Sequence, residues 1–226
     1  MSMYKNLLVL AAIVLAGCDK GTTPPPAGDS YLSLTTNSTW TYQSKNNISM
    51  VSGTYTLKVT GRDSVVNGKT YKVFSNSGAE NEYYVQVGSD YYQYANFKAA
   101  NQKLENLYLK SNVNVGASWD QNISILVPGT STTLSGTLTN KIEEKGISYT
   151  VGSTTYTNVI RVKSSIGPIS IPGIPTAITP VTDINSYYAP KVGRIYARSK
   201  VSFTVPGFTP VNSDDELILQ SSDIKP

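Results

Sequence analysis

The sequence has no histidine and a single cysteine, Cys18, in 226 residues. These shortages exclude the Ser-His-Asp and Cys-His catalytic groups and every metal site built on histidine or on several cysteines. Charge is also scarce: Asp, Glu, Lys and Arg make up 15% of the chain. The formal net charge is +4, and without residues 1–17, whose one charged side chain is Lys5, 18 basic groups face 15 acidic ones, a net +3. So small and dispersed an excess does not point to nucleic acid. The sequence lacks a phosphate loop, a dinucleotide fingerprint and an EF-hand calcium loop, so no cofactor and no metal is expected. It has no apolar run of the roughly 20 residues that a spanning helix needs. The acidic runs Glu143-Glu144 and Asp214-Asp215-Glu216 do not supply a glycosidase pair, because neighbours on a strand point to opposite faces. Asp214-Asp215 reads instead as a turn ahead of a strand from Leu217 to Gln220. No catalytic residue is expected, and the protein is read as non-enzymatic.

What is present begins with an export signal. Lys5 precedes the uncharged apolar run Leu7–Ala16, and residues 1–17 read as a cleaved signal peptide. Leu15-Ala16-Gly17-Cys18 resembles the bacterial lipobox, whose small residues admit the lipoprotein signal peptidase just before a lipid-modified cysteine. A lone thiol in an exported protein would otherwise be unexplained. Each buried methylene contributes about 0.8 kcal/mol, so Cys18 carrying palmitate-type chains is a stable membrane anchor. Asp19-Lys20 resembles an inner-membrane retention signal of proteobacterial lipoproteins and also a surface-export signal of Bacteroidetes-type lipoproteins. The Ser/Thr/Asn/Tyr-rich composition favours the second. The expected location is the cell envelope, anchored to the outer membrane at its periplasmic face or at the cell surface. Residues 18–30 form a tether, and Pro24-Pro25-Pro26 favour extended polyproline II at about 3.1 Å per residue.

Residues 31–226 are one domain's worth of chain, large enough to fold without disulfides. Period-two alternation recurs in Thr54–Thr60 and in Ile195–Val205, where Ile195, Ala197, Val201, Phe203 and Val205 share one face. Val66-Asn67-Gly68-Lys69 signals a type I′ hairpin. About a dozen short strands rich in Thr, Val, Ile and Tyr predict an all-β fold: a strongly curved antiparallel sheet or half-open β-barrel. Phe97, Ala100, Leu104 and Leu107 stand at helical spacing, so Phe97–Leu107 is expected to be a short helix or irregular turn. The halves 31–108 and 109–226 echo each other. Trp40, Gly53–Leu57, Gly68–Val73 and Tyr83–Tyr91 are followed in the same order by Trp119, Gly136–Thr139, Ser153–Val159 and Tyr187–Tyr196. Two tandem meanders joined edge to edge would give one curved sheet, although similar hairpins in a Thr/Tyr-rich chain also look alike by chance.

Val115–Trp119, Thr155–Val162 and Tyr187-Tyr188-Ala189-Pro190-Lys191-Val192-Gly193 resemble a family of exported bacterial proteins of unknown function, with Lys191 where that family has glycine. The family is similar to the half-barrel carriers of the lipoprotein-localisation (Lol) superfamily. The resemblance implies a sheet curled around an apolar cavity and no catalytic residues.

Three Pro-Gly pairs sit in apolar surroundings: Val127-Pro128-Gly129, Ile171-Pro172-Gly173-Ile174 and Val205-Pro206-Gly207-Phe208. Pro then Gly specifies a type II turn. Val127, Pro128, Ile171, Ile174, Val205 and Phe208 either form an apolar rim that meets a ligand or partner, or fold back to cap the core. The 16 tyrosines include the pairs Tyr83-Tyr84 and Tyr187-Tyr188. They read either as a cavity lining or sugar-stacking surface, Tyr187 and Tyr188 above all, or as cross-strand packing. Lys191, Arg194, Arg198 and Lys200 form a small basic cluster. Under strict alternation Arg194, Arg198 and Lys200 share one face, suited to an anionic headgroup or glycan or simply to solvent.

The expected function is binding of a lipid-like, apolar or amphiphilic ligand on the concave face, with the membrane as partner through acylated Cys18. An envelope protein meeting the apolar rim is the competing reading, and a carbohydrate binder or enzyme the third. If Cys18 is the anchor, Cys18→Ser releases the protein from the membrane fraction and abolishes metabolic labelling with palmitate; a labelled, membrane-bound variant would refute the lipobox reading.

Overall fold

The computed structural model describes residues 30–97, 102–126, 133–170, 177–205 and 210–226. Among these residues there are twelve strands and no helix: β1 (Thr39–Asn46), β2 (Ser52–Val66), β3 (Lys69–Asn76), β4 (Glu82–Val87), β5 (Asp90–Phe97), β6 (Gln102–Lys110), β7 (Ser118–Leu126), β8 (Thr133–Val151), β9 (Thr154–Ile166), β10 (Val181–Ala189), β11 (Gly193–Phe203) and β12 (Val211–Asp223). All pairings are antiparallel, in one sheet of order β6-β5-β4-β3-β2-β1-β12-β11-β10-β9-β8-β7. Each half of the chain is a six-strand meander, and β1 joins β12 over Thr39↔Asp223 to Asn46↔Asp215. The expected hairpin at Asn67-Gly68 is present, with φ of 50° and 76° as a type I′ turn requires.

The sheet curls until its outer strands, β6 and β7, meet. They share no ladder among the described residues. Side chains of β7 bridge them instead. The Trp119 indole N–H donates to the Leu107 carbonyl (2.7 Å). The Gln121 amide accepts from the Leu107 N–H (2.9 Å) and donates to the Leu107 carbonyl (3.1 Å) and to Asn106 Oδ1 (2.8 Å). A strand edge carries unpaired peptide groups that template aggregation. Here a glutamine amide stands in for a missing peptide at the seam.

The meander fixes two ends. The N-terminal segment and the connections at 67–68, 88–89, 111–117, 152–153 and 190–192 lie at one end, the tether end. The connections β1–β2, β3–β4, β5–β6, β7–β8, β9–β10 and β11–β12 leave from the far end. Residues 30–32 plug the tether end. Tyr31 donates its backbone N–H to the Tyr91 hydroxyl (3.0 Å) and its own hydroxyl to the Asn158 carbonyl (2.7 Å). The Lys191 N–H donates to the Ser30 carbonyl. Lys191 has φ 65° and Gly193 φ 93°. A Cβ on Gly193 would stand 3.3 Å from the Tyr31 carbonyl, so the plug also requires glycine there.

Phe97–Leu107 does not form a helix. Phe97 pairs with Gln102, Ala95 with Leu104 and Tyr92 with Leu107 in a β5–β6 hairpin. The three-residue spacing arose because the segment spans two strands; residues 98–101 lie outside the described residues. A bulge opposite Tyr91/Tyr92 then buries both Tyr108 and Leu109.

Asp214-Asp215 is also not a turn, because β12 already starts at Val211. Asp214 faces away from the lumen and takes both oxygens to Arg198: Nε to Oδ1 at 2.9 Å and Nη2 to Oδ2 at 2.8 Å. Asn47 donates to it as well (3.2 Å). The Arg198 hydrogen bonds, then that from Asn47, hold the Asp214 carboxyl down at about 2.

Two predictions follow from these contacts. Gln121→Leu leaves the Leu107 N–H without its acceptor, which costs about 1–3 kcal/mol; denaturant unfolding should register that loss, and hydrogen exchange should locate it at Leu107. Because the carboxyl of Asp214 is depressed in the folded state, its contribution is complete above the ordinary carboxylate range and fades as pH falls towards 2. Asp214→Asn should therefore lose less stability between pH 4 and pH 2 than the parent, read as the denaturant midpoint at each pH.

Candidate functional site

A nearly closed sheet of twelve strands encloses more volume than aliphatic side chains fill; eight strands already leave an interior just wide enough for side chains. Large rings occupy the lumen: Trp40, Tyr42, Phe74, Tyr84, Tyr91, Tyr108, Trp119 and Tyr188, all buried. They pack in tilted and stacked pairs, Phe74 on Tyr84 (centroids 4.6 Å) and Tyr108 on Tyr188 (5.4 Å). Such pairs add about 0.5–1.5 kcal/mol each beyond area burial.

A cavity of about 110 Å³ remains among them. Leu32, Trp40 and Val192 close it on the tether side; Tyr55 and Glu82 line it towards the far end; Leu57, Phe74 and Leu217 give it apolar walls. It is smaller than the roughly 150 Å³ void that admits benzene. A short chain or small ring fits, and a whole diacyl lipid does not.

The cavity has two charged groups. Glu82 is fully engaged. It accepts from the Tyr84 hydroxyl (2.6 Å), from Gln93 Nε2 (2.7 Å) and from Asn76 Nδ2 (2.7 Å). Arg194 is the other. Its guanidinium lies 5.7 Å from the ring centroids of both Tyr108 and Tyr188. Its Nε is buried with no acceptor. No carboxylate among the described residues lies within ion-pair distance of it. The backbone at and just before this residue is anchored, since the Tyr42 hydroxyl donates to the Arg194 carbonyl (2.8 Å) and the Trp40 indole to the Val192 carbonyl (2.6 Å). Burial holds the hydroxyls of Tyr42, Tyr84 and Tyr108 far above the ordinary phenol range. Burial, then the Glu82 carboxylate, lifts Tyr55 to about 12. These tyrosines are therefore neutral hydrogen-bonding groups at any physiological pH.

A bulge puts Arg194 in the lumen. Tyr187 pairs with Tyr196, but Tyr188 pairs with Arg194, leaving Ile195 as an extra residue. Strict alternation placed Arg194 with Arg198 and Lys200; the bulge overturns that face for Arg194 alone and turns both Arg194 and Ile195 inward. Arg198 remains outside with Asp214, and Tyr196 donates there to Glu216 (2.6 Å). A bulge of this kind leaves no mark in the hydrophobic pattern, so Arg194 was named in the sequence for the wrong face.

Of the sequence candidates, Tyr188 lies in the lumen against Tyr108. Tyr187 points the other way and stacks on Tyr149 (3.9 Å) beneath Arg161 (5.8 Å). The two adjacent tyrosines thus belong to different surfaces. Val205 is buried with Ile169 in a small satellite core, packed by Ile166, Ile178 and Phe203. Cys18, Val127, Pro128, Ile171, Ile174 and Phe208 lie outside the described residues. The strand ends that flank the three Pro-Gly segments are all at the far end, together with the exposed Ile48, Met50, Val51 and Val181. Trp40, Glu82 and Gln93 were missed. Only Trp40 carried a signal, as one of two tryptophans.

No family model matches the chain, and no curated protein matches it. Its fold is similar to that of a Parabacteroides distasonis protein described by name as a lipoprotein, with a TM-score of 0.53, 10% identity, and coverage of 86% of this chain and 99% of that one. A Bacteroides fragilis protein described as exported and as having a YmcC-like fold aligns over the same shares, with a TM-score of 0.44 and 9% identity. At such identities the likeness is one of fold: this chain shares the curled antiparallel sheet of the Parabacteroides protein.

Proposed function

We propose that this protein is a non-enzymatic lipoprotein of the cell envelope, anchored through acylated Cys18, that binds a small amphiphile inside its curled sheet. The lipobox and the likeness in fold to a protein named as a lipoprotein support the location. The outer membrane is the assigned site, on the Bacteroidetes-like composition. The cavity carries the binding reading: about 110 Å³ left open in a lumen otherwise packed with rings, with apolar walls and two charged groups on its lining. Ligand sites combine apolar walls with a few placed polar groups in this way. The small volume narrows the ligand from a whole lipid to a short-chain or single-ring amphiphile.

One observation favours the second reading, a module that meets another envelope protein. Ile48, Met50, Val51 and Val181 are exposed at the far end, where the three Pro-Gly connections also leave the sheet. The tether holds the opposite end, so this rim would face away from the anchoring membrane.

Native mass spectrometry of detergent-free protein separates the readings. An added mass that extracts into organic solvent, and that disappears when Leu217→Phe fills the cavity, is expected. A clean apo mass that persists after incubation with short-chain amphiphiles would refute the cavity reading and leave the rim as the functional surface.

A further inference from the structure

An arginine inside a protein normally has a carboxylate partner, because an unpaired buried charge costs several kcal/mol. Two outward-facing arginines have such partners. Arg198 has Asp214, and Arg161 has Glu144 (3.0 Å) and Asn185. Arg194 does not. It lines the cavity, its Nε is buried without an acceptor, and none of its N–H groups finds a protein acceptor among the described residues. The acid that lines the same cavity, Glu82, is already taken by Tyr84, Gln93 and Asn76.

The rest of the site keeps Arg194 in this position. Its carbonyl is tied down by Tyr42, and Tyr108 and Tyr188 flank the guanidinium with their ring faces. Cation–π contacts steady the charge but satisfy none of its donors. The Tyr108 hydroxyl also has no protein acceptor among the described residues, and Tyr108 lines the same cavity. The arrangement is a planar fork of donors and a neutral hydroxyl at one wall, with Trp40, Leu57, Phe74 and Leu217 as apolar walls.

We propose that Arg194 is the binding residue for an anionic oxygen head, a carboxylate or phosphate, on a small amphiphile whose apolar part lies between Trp40, Leu57, Phe74 and Leu217. The guanidinium would donate through its two terminal nitrogens, in the paired geometry that arginine makes with such groups. The ligand then supplies the counter-charge that the fold omits. This inference rests on the cavity reading and adds the sign and chemistry of the ligand.

The test uses the chain from residue 18 onward, carrying Cys18→Ser so that no detergent is needed. Pentanoate, 1-pentanol and inorganic phosphate are titrated while the Arg194 Nε–H resonance is followed by NMR. Pentanoate should bind about tenfold or more tighter than 1-pentanol and shift that resonance. Arg194→Gln should remove the preference for pentanoate over the alcohol. Equal binding of acid and alcohol in the parent would overturn the anion assignment while the cavity reading stands, and that comparison needs no folded variant. Binding of neither would overturn both. Inorganic phosphate binding as tightly as pentanoate would show a free-anion site and overturn the amphiphile.

Discussion

Closure of a twelve-strand sheet is the constraint on which the rest of this molecule depends. Ring size grows with strand number, and two six-strand meanders joined at β1 and β12 generate a lumen that Val, Ile and Leu alone would leave hollow. Empty space in a protein interior forfeits dispersion contacts on its whole lining. Tyrosine fills that space with a wide ring, and its hydroxyl reaches backbone carbonyls that the curvature leaves facing inward. Tyr31 bonds the Asn158 carbonyl and Tyr42 the Arg194 carbonyl in this way. A chain with 16 tyrosines and only 4 phenylalanines suits such a lumen. Phenylalanine would fill the space equally well and leave those carbonyls unpaired.

Closure also has to be completed at its seam and at its ends. At the seam, Trp119 and Gln121 supply by side chain what a twelfth pairing would supply by backbone. At the tether end, residues 30–32 enter the lumen and are held by Tyr91, Asn158 and the 190–192 turn. The segment that leads to the proposed membrane anchor is therefore part of the core. The far end, with its apolar connections, is the side on which a solute from outside the membrane would arrive.

The proposed binding role of Arg194 depends on one irregularity within this frame. The bulge at Ile195 costs a ladder position and turns a charged residue into an aromatic lumen. Folds tolerate such unpaired charge where function uses it, since a hydrophobic residue of similar size would suit the packing better. Glu82 marks the contrast. It is charged and lines the same cavity, yet three donors make it part of the structure.

The strand-rich fold, the Asn67-Gly68 hairpin, the two meanders and the absence of histidine chemistry follow from local sequence, because period-two burial and turn propensities act over a few residues. The proposed lipobox around Cys18 is a local signal of the same kind: a peptidase would read it in an extended chain. The helix expected over Phe97–Leu107 failed because its spacing joined residues from two strands, which only pairing separates. Tyr187 and Tyr188 are neighbours in sequence and opposites in space. Arg194 looks from the sequence like one more solvent-facing basic residue. Its inward direction, the engagement of Glu82 and the void between them arise from register, bulge and closure, which bring together residues more than a hundred positions apart and were decided by the tertiary structure alone.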